Sequence, residues 1–131
     1  GVHFTTNEEV FADSDFLSLN CPLTASTRHM INARTLATMK PTAYVINTAR
    51  GALIDEAALI EALDQGVIAG AGLDVQEVEP LDDASPLYTM DNVIITPHMG
   101  WRGLETRRRL VSMIGDNIRA FAAGHPINRV D

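Results

Sequence analysis

Three side chains are of the types that together run chemistry at a carbonyl beside a carboxylate: Arg50, Glu79 and His98. An arginine fork grips a carboxylate through two parallel hydrogen bonds and polarises the neighbouring carbonyl. A histidine delivers or removes the proton, and a glutamate beside it orients the ring and favours the imidazolium at neutral pH. Asp74 adds a carboxylate that could accept a hydrogen bond from an amide of a bound ligand. Each has a plainer reading: Arg50 paired with a nearby acid, Glu79 beside Glu77 as part of an acidic loop, His98 as a surface or structural histidine. His3, His29 and His125 have no comparable context and are assigned no chemistry. No cysteine–histidine spacing suggests a metal site, and no serine or cysteine has a base in pattern beside it.

These residues are useful only if the fold collects them, and the run Ala43-Tyr44-Val45-Ile46-Asn47-Thr48-Ala49-Arg50-Gly51 suggests how. Branched residues at Val45 and Ile46 suit a covered strand, and Gly51 permits a sharp exit toward an amphipathic helix capped by Asp55. Arg50 therefore stands at the carboxyl end of a strand. In open α/β sheets ligands bind at that edge. Asp74 lies next to the end of the strand-like run 67–75, and His98 follows the strand 93–96. Parallel strands would bring all three ends to one rim.

The rest of the chain supplies matching elements. Thr6-Asn7-Glu8-Glu9 has the form of a capping box for a short helix over 8–12 with Val10 and Phe11 turned inward. Phe16–Leu19 reads as a strand ended by Cys21-Pro22. Asn32 is an N-cap for a helix reaching Met39, the Asp55 helix runs to about Gln65, and Gly66 stops it. Residues 76–92 read as a loop with one helical turn near Leu87. Leu104, Val111, Ile114, Ile118 and Phe121 draw one apolar stripe on a helix over 104–123, with Arg108, Arg109, Asp116 and Arg119 mostly facing away. The expected class is α/β: half of a Rossmann-like doubly wound parallel sheet plus a long C-terminal helix, with 1–103 as the half-domain and 104–131 as the helix and tail. Gly70 and Gly72 lie inside a strand and do not form a G-x-G-x-x-G fingerprint.

Composition fits this class. The 131 residues are 46% hydrophobic and 21% charged, with a formal charge of −7 that argues against a general nucleic-acid or membrane-surface binder. The basic run Arg107-Arg108-Arg109 reads as a solvated helix face. Cys21 is the single cysteine, so no internal disulfide forms, which is compatible with a reducing cytoplasm. No apolar run approaches the ~18 to 20 residues of a membrane span. Gly1 is no initiator methionine, and the chain is expected to be a fragment.

The order of motifs resembles the D-isomer-specific 2-hydroxyacid dehydrogenases, the family of phosphoglycerate, glycerate and formate dehydrogenases. The likeness runs from about Ala12 through Asp15-Phe16-Leu17-Ser18-Leu19-Asn20-Cys21-Pro22-Leu23-Thr24, Met39-Lys40-Pro41, Ile46-Asn47-Thr48-Ala49-Arg50-Gly51, Ala71-Gly72-Leu73-Asp74-Val75, Glu79-Pro80-Leu81 and Thr96-Pro97-His98-Met99-Gly100. It implies NAD or NADP as cofactor and hydride transfer to or from C2 of a small 2-hydroxy or 2-keto acid. Arg50 would be the substrate arginine, Glu79 the acid paired with the histidine, and His98 the proton donor and acceptor. Cys21, Pro22, Thr27, Thr48, Ala49, Arg50, Asp74, His98 and Gly100 would surround the nicotinamide half of the cofactor. Trp101 and Asn117-Ile118-Arg119-Ala120-Phe121 look most like the glycerate dehydrogenase or hydroxypyruvate reductase branch. The resemblance also implies an upstream glycine-rich loop and a second domain as partners in the same protein; a homodimer is expected from the Ile114-Ile118-Phe121 stripe, which is left open without that domain. Gln76 departs from the family, where an aromatic residue is common. The alternatives are a catalytically incomplete fragment and a non-catalytic binding module of the same fold.

Overall fold

The computed structural model describes residues 1–130. The chain divides into two compact units, Gly1–His98 and Met99–Asp131.

In the first unit, helix α1 (Asn7–Asp13) starts at Thr6, whose side chain accepts from the Glu9 N–H while the Glu9 carboxylate accepts from the Thr6 N–H. This is the reciprocal cap expected from the sequence. Strand β1 (Phe16–Leu19) follows, with Leu17 and Leu19 buried and Phe16 and Ser18 exposed. Helix α2 (Ala33–Leu36) is capped by Asn32, which accepts from the N–H groups of Arg34 and Thr35. It is shorter than expected, because the Thr38 N–H and hydroxyl both donate to the Thr35 carbonyl and tighten the chain after one turn.

Strand β2 (Tyr44–Asn47) leads through Thr48, Ala49 and Arg50 into a 3-10 turn at Gly51–Leu53. Helix α3 (Glu56–Asp64) takes its cap from Asp55, and Gly66 at φ 67 ends it. Strand β3 is Gly70–Leu73, narrower than the expected run because Val67 turns back to donate to the Ala62 carbonyl and Ile68 packs into the core from a bend. A 3-10 turn at Pro86–Tyr88 interrupts the long loop, and strand β4 (Val93–Ile95) closes the sheet.

The four strands are all parallel in the order β1-β2-β3-β4, in register from Phe16 opposite Tyr44 to Leu73 opposite Ile95. Period-two alternation gives the sheet two unlike faces. One carries Leu17, Leu19, Val45 and Leu73 into a core shared with Leu36, Leu53, Leu59 and Leu63. The other carries Phe16, stacked on Tyr44 with ring centroids 5.5 Å apart, and Ile94, and is open to solvent. Because every strand runs the same way, the carboxyl ends of β2, β3 and β4 form one rim, as expected.

The second unit is dominated by helix α4 (Leu104–Ala122). Its apolar stripe, Leu104, Val111, Ile114, Ile118 and Phe121, is 49 to 75% exposed. Arg119 pairs with Asp116 at 2.6 Å, and the Arg107 guanidinium lies 5.7 Å from the Trp101 ring. Among the described residues, no helix is long and apolar enough to cross a membrane.

Candidate active site

The rim is built by three strand exits, each fixed differently. At the end of β2, Asn47 is fully buried. Its side-chain N–H donates to the Arg50 carbonyl at 2.9 Å, and its Oδ1 accepts from the Ala49 N–H at 3.1 Å. This Asx-type closure folds Thr48-Ala49-Arg50 into a tight loop and presents Arg50 at the edge. Arg50 is exposed, and one of its guanidinium nitrogens donates to the Ala49 carbonyl at 2.7 Å. Sequence reading placed Asn47 in the strand and missed this role. The available signal was a polar residue at the end of an apolar run, three positions before the arginine.

At the end of β3, Asp74 is buried. Its N–H donates to the Asn47 carbonyl at 2.9 Å, and its carboxylate accepts from the Thr96 hydroxyl beyond β4. Asp74 therefore ties together the exits of β2, β3 and β4. After β4, the turn Thr96-Pro97-His98 puts His98 in the left-handed region at φ 49, with its N–H donating to the Thr96 carbonyl.

His98 and Glu79 meet directly, with 2.8 Å between Nδ1 and Oε2. An ionised carboxylate only accepts, so Nδ1 carries the hydrogen and Nε2 remains as the nitrogen that exchanges a proton. The other Glu79 oxygen accepts from the Gln76 N–H at 3.1 Å. The His98 hydrogen bond, assisted by that N–H, holds the Glu79 carboxyl below the usual range, against partial burial and the Asp74 charge.

Two clefts open along this rim. A cleft of about 560 Å³ is lined by Gln76, Glu79, Tyr88, Ile95 and His98, among others. A second, of about 590 Å³, is lined by Asn20, Cys21, Pro22, Leu23, Thr48, Ala49 and Arg50. Thus Glu79 and His98 are brought into contact, Arg50 reaches the same rim in the neighbouring cleft, and Cys21, Pro22, Thr48 and Ala49 line that cleft with it. Two strand spacings, roughly 10 Å, separate the ends of β2 and β4. The Thr27 hydroxyl is used within its own turn, donating to the Pro22 carbonyl and accepting from the Thr24 N–H, both at 2.8 Å. Gly100 belongs to the second unit.

Residues 1–100 match the D-isomer specific 2-hydroxyacid dehydrogenase, NAD binding domain. The chain belongs to this family. It is 45% identical over 132 aligned positions to a glyoxylate reductase of Korarchaeum cryptofilum, covering all of this chain and 40% of the relative. It is 46% identical to a glycerate dehydrogenase of Methylorubrum extorquens, covering 95% and 40%. A D-isomer specific 2-hydroxyacid dehydrogenase of Xanthobacter autotrophicus Py2, solved in complex with NADPH and MES, superposes with a TM-score of 0.84 at 46% identity, over 95% of this chain and 51% of that one. The chain thus spans about 40% of the length of the curated relatives it matches.

Two features of this family member were not legible in its sequence. Gln76 is buried with its side-chain nitrogen lacking a hydrogen-bond partner. His29, assigned no chemistry, also lies in the left-handed region, at φ 50, and is held by a carboxylate, 2.7 Å from Glu77. Its partner is 48 positions away, so no local pattern marks it.

Proposed function

We propose that this chain is the histidine-bearing part of an NAD(P)-dependent D-2-hydroxyacid dehydrogenase acting on a small 2-keto acid of the glyoxylate or hydroxypyruvate kind. The observation that carries the reading is the His98 Nδ1–Glu79 Oε2 bond on the rim that also bears Arg50. Glyoxylate reductases and a glycerate dehydrogenase among the relatives support the substrate class.

The residues present fit the nicotinamide half of a dinucleotide. Cys21, Pro22, Thr48 and Ala49 border a cleft of about 590 Å³, and Asp74 provides a buried acceptor at the exit of the adjoining strand β3. Thr27 would act by supporting the Cys21-Pro22 turn, and Gly100 by following the histidine segment. The cofactor, when bound, supplies the hydride exchanged with C2 of the substrate. Arg50 binds the substrate carboxylate and polarises the adjacent carbonyl. His98 gives a proton from Nε2 to the carbonyl oxygen in reduction and takes it back in oxidation. Glu79 fixes the ring with Nδ1–H directed at its carboxylate and offsets the positive charge that His98 carries before the transfer.

No glycine-rich phosphate loop occurs in these 131 residues, so activity is assigned to an intact enzyme containing this segment. Within the same reading, residues 1–103 form part of the dinucleotide-binding domain and 104–131 return toward the substrate domain. A homodimer and a cytoplasmic location complete it, the first supported by the open stripe on α4 and the second by a single unpaired thiol at Cys21. Steady-state kinetics of the intact enzyme with hydroxypyruvate and glyoxylate test the assignment. His98→Ala should lower kcat by roughly 100- to 10,000-fold, whereas Arg50→Ala should chiefly raise KM for the keto acid. Unchanged constants in both variants would remove the mechanism.

A further inference from the structure

Glu79 sits on a loop with little regular structure to hold it. From Asp74 to Ser85 the chain forms neither helix nor strand, and Val78, beside Glu79, is 70% exposed. Yet Glu79 must keep one oxygen on His98 and the other on the Gln76 N–H. Val75 and Leu81 are buried on either side of Glu79, and the charged side chain that ties the loop to other segments is Glu77. Its Oε1 accepts from His29 Nε2 at 2.7 Å and from the Arg28 guanidinium at 3.1 Å, while its N–H donates to the Glu56 carboxylate at 3.2 Å.

His29 is anchored on its other side to the segment after Arg50. Its N–H donates to the Ala52 carbonyl at 2.9 Å, and the next link, Ile31 N–H to the Leu53 carbonyl, continues the attachment. We propose that the His29–Glu77 pair is a positioning device that fixes the loop bearing Glu79 to the turn that follows Arg50. Two histidines in left-handed backbone, His29 and His98, thus hold alternate glutamates of one short segment, one for position and one for chemistry. Such backbone persists only where its surroundings fix it. The role assigned to Glu79 and His98 rests on the function proposed above, but the placement of Glu79 can be read without turnover.

The readout is the titration midpoint of the Glu79 side-chain carboxyl, followed by carbon NMR in the 131-residue chain. Glu79 faces His98 from the turn after β4 and Asp74 from the end of β3, and Glu77 is its neighbour along the loop. Removing the Glu77 charge alone would relieve repulsion and lower the midpoint. Losing the position weakens the His98 bond and raises it toward the ordinary ~4.3. Glu77→Ala and His29→Asn should both raise the midpoint. Asparagine tolerates the left-handed backbone but is too short to reach Glu77. Glu77→Gln, which removes the charge but keeps an acceptor for His29, should leave the midpoint at or slightly below the parent value. A fall or no change in the first two variants, with His98→Gln raising the midpoint as a control, would overturn the proposal. If one variant unfolds, as read by circular dichroism, the other decides; unfolding of both also overturns it, since the pair would then hold the fold and not the site. An inactive intact enzyme with the expected Glu79 response would count against the dehydrogenase reading alone.

Discussion

Gly51 packs against the backbone of Gln76 so closely that a Cβ built on Gly51 would lie 1.8 Å from the Gln76 carbonyl oxygen and 1.9 Å from its carbon. The residue after the candidate substrate arginine and the residue whose N–H holds Glu79 are thus in direct backbone contact, across the exits of β2 and β3. Gly51→Ala cannot be accommodated by turning a side chain, because both opposing atoms are main chain. The substitution should cost about 1–3 kcal/mol or more through a forced backbone shift, measured by urea denaturation, and should displace Gln76 and Glu79 together. A variant of unchanged stability would mean the two loops separate freely.

The Glu79 carboxyl titrates low mainly because His98 donates to it. A carboxyl whose folded midpoint lies below its unfolded value binds fewer protons when folded. Its stabilising contribution is present above the unfolded value, near ~4.3, and is lost as pH falls through the lower folded one. Replacing His98 by Gln should raise the Glu79 midpoint and flatten the acid side of the stability–pH curve below about pH 4.5. Acid denaturation curves of the two proteins that superpose would show that the hydrogen bond does not form in solution.

How much of this was readable beforehand differs by element. Thr6, Asn32 and Asp55 cap the helices assigned to them, because capping depends on residues three apart. The convergence of Arg50, Asp74 and His98 on one rim was also legible, since parallel strands leave no other arrangement of their carboxyl ends. The boundaries of β3 were not. Val67 and Ile68 are as apolar as a strand requires, and only the bond from Val67 back to Ala62 shows them to be a helix exit. The His29–Glu77 pair and the Asn47 closure escaped for a related reason: both are polar contacts whose meaning comes from where other segments lie.

Gln76 offers a test of the opposite sign from most substitutions. Its side-chain nitrogen is buried and makes no hydrogen bond, and a desolvated donor without a partner costs about 1–3 kcal/mol. Gln76→Met keeps length and flexibility, removes the donor and makes the buried position apolar. The variant should be more stable by about 1 kcal/mol, read as a higher denaturation midpoint with an unchanged slope. Loss of stability would indicate that the amide is satisfied in solution.

Asn47 should be among the least replaceable polar residues of the first unit. It is fully buried and bonds on both sides to the loop that presents Arg50. Asn47→Ala removes two hydrogen bonds and leaves the Ala49 N–H and the Arg50 carbonyl without them, a loss of about 2–4 kcal/mol when each orphaned group is charged at 1–2 kcal/mol. Asn47→Asp separates the two bonds. It keeps an acceptor for the Ala49 N–H but turns a carboxylate oxygen toward the Arg50 carbonyl in a site with no exposure, so it should destabilise more at neutral pH than at acid pH, where a protonated carboxyl can donate. Urea denaturation of both variants across pH checks the order. Equal stability of Asn47→Asp at neutral and acid pH would mean that the Arg50 carbonyl does not depend on the Asn47 amide.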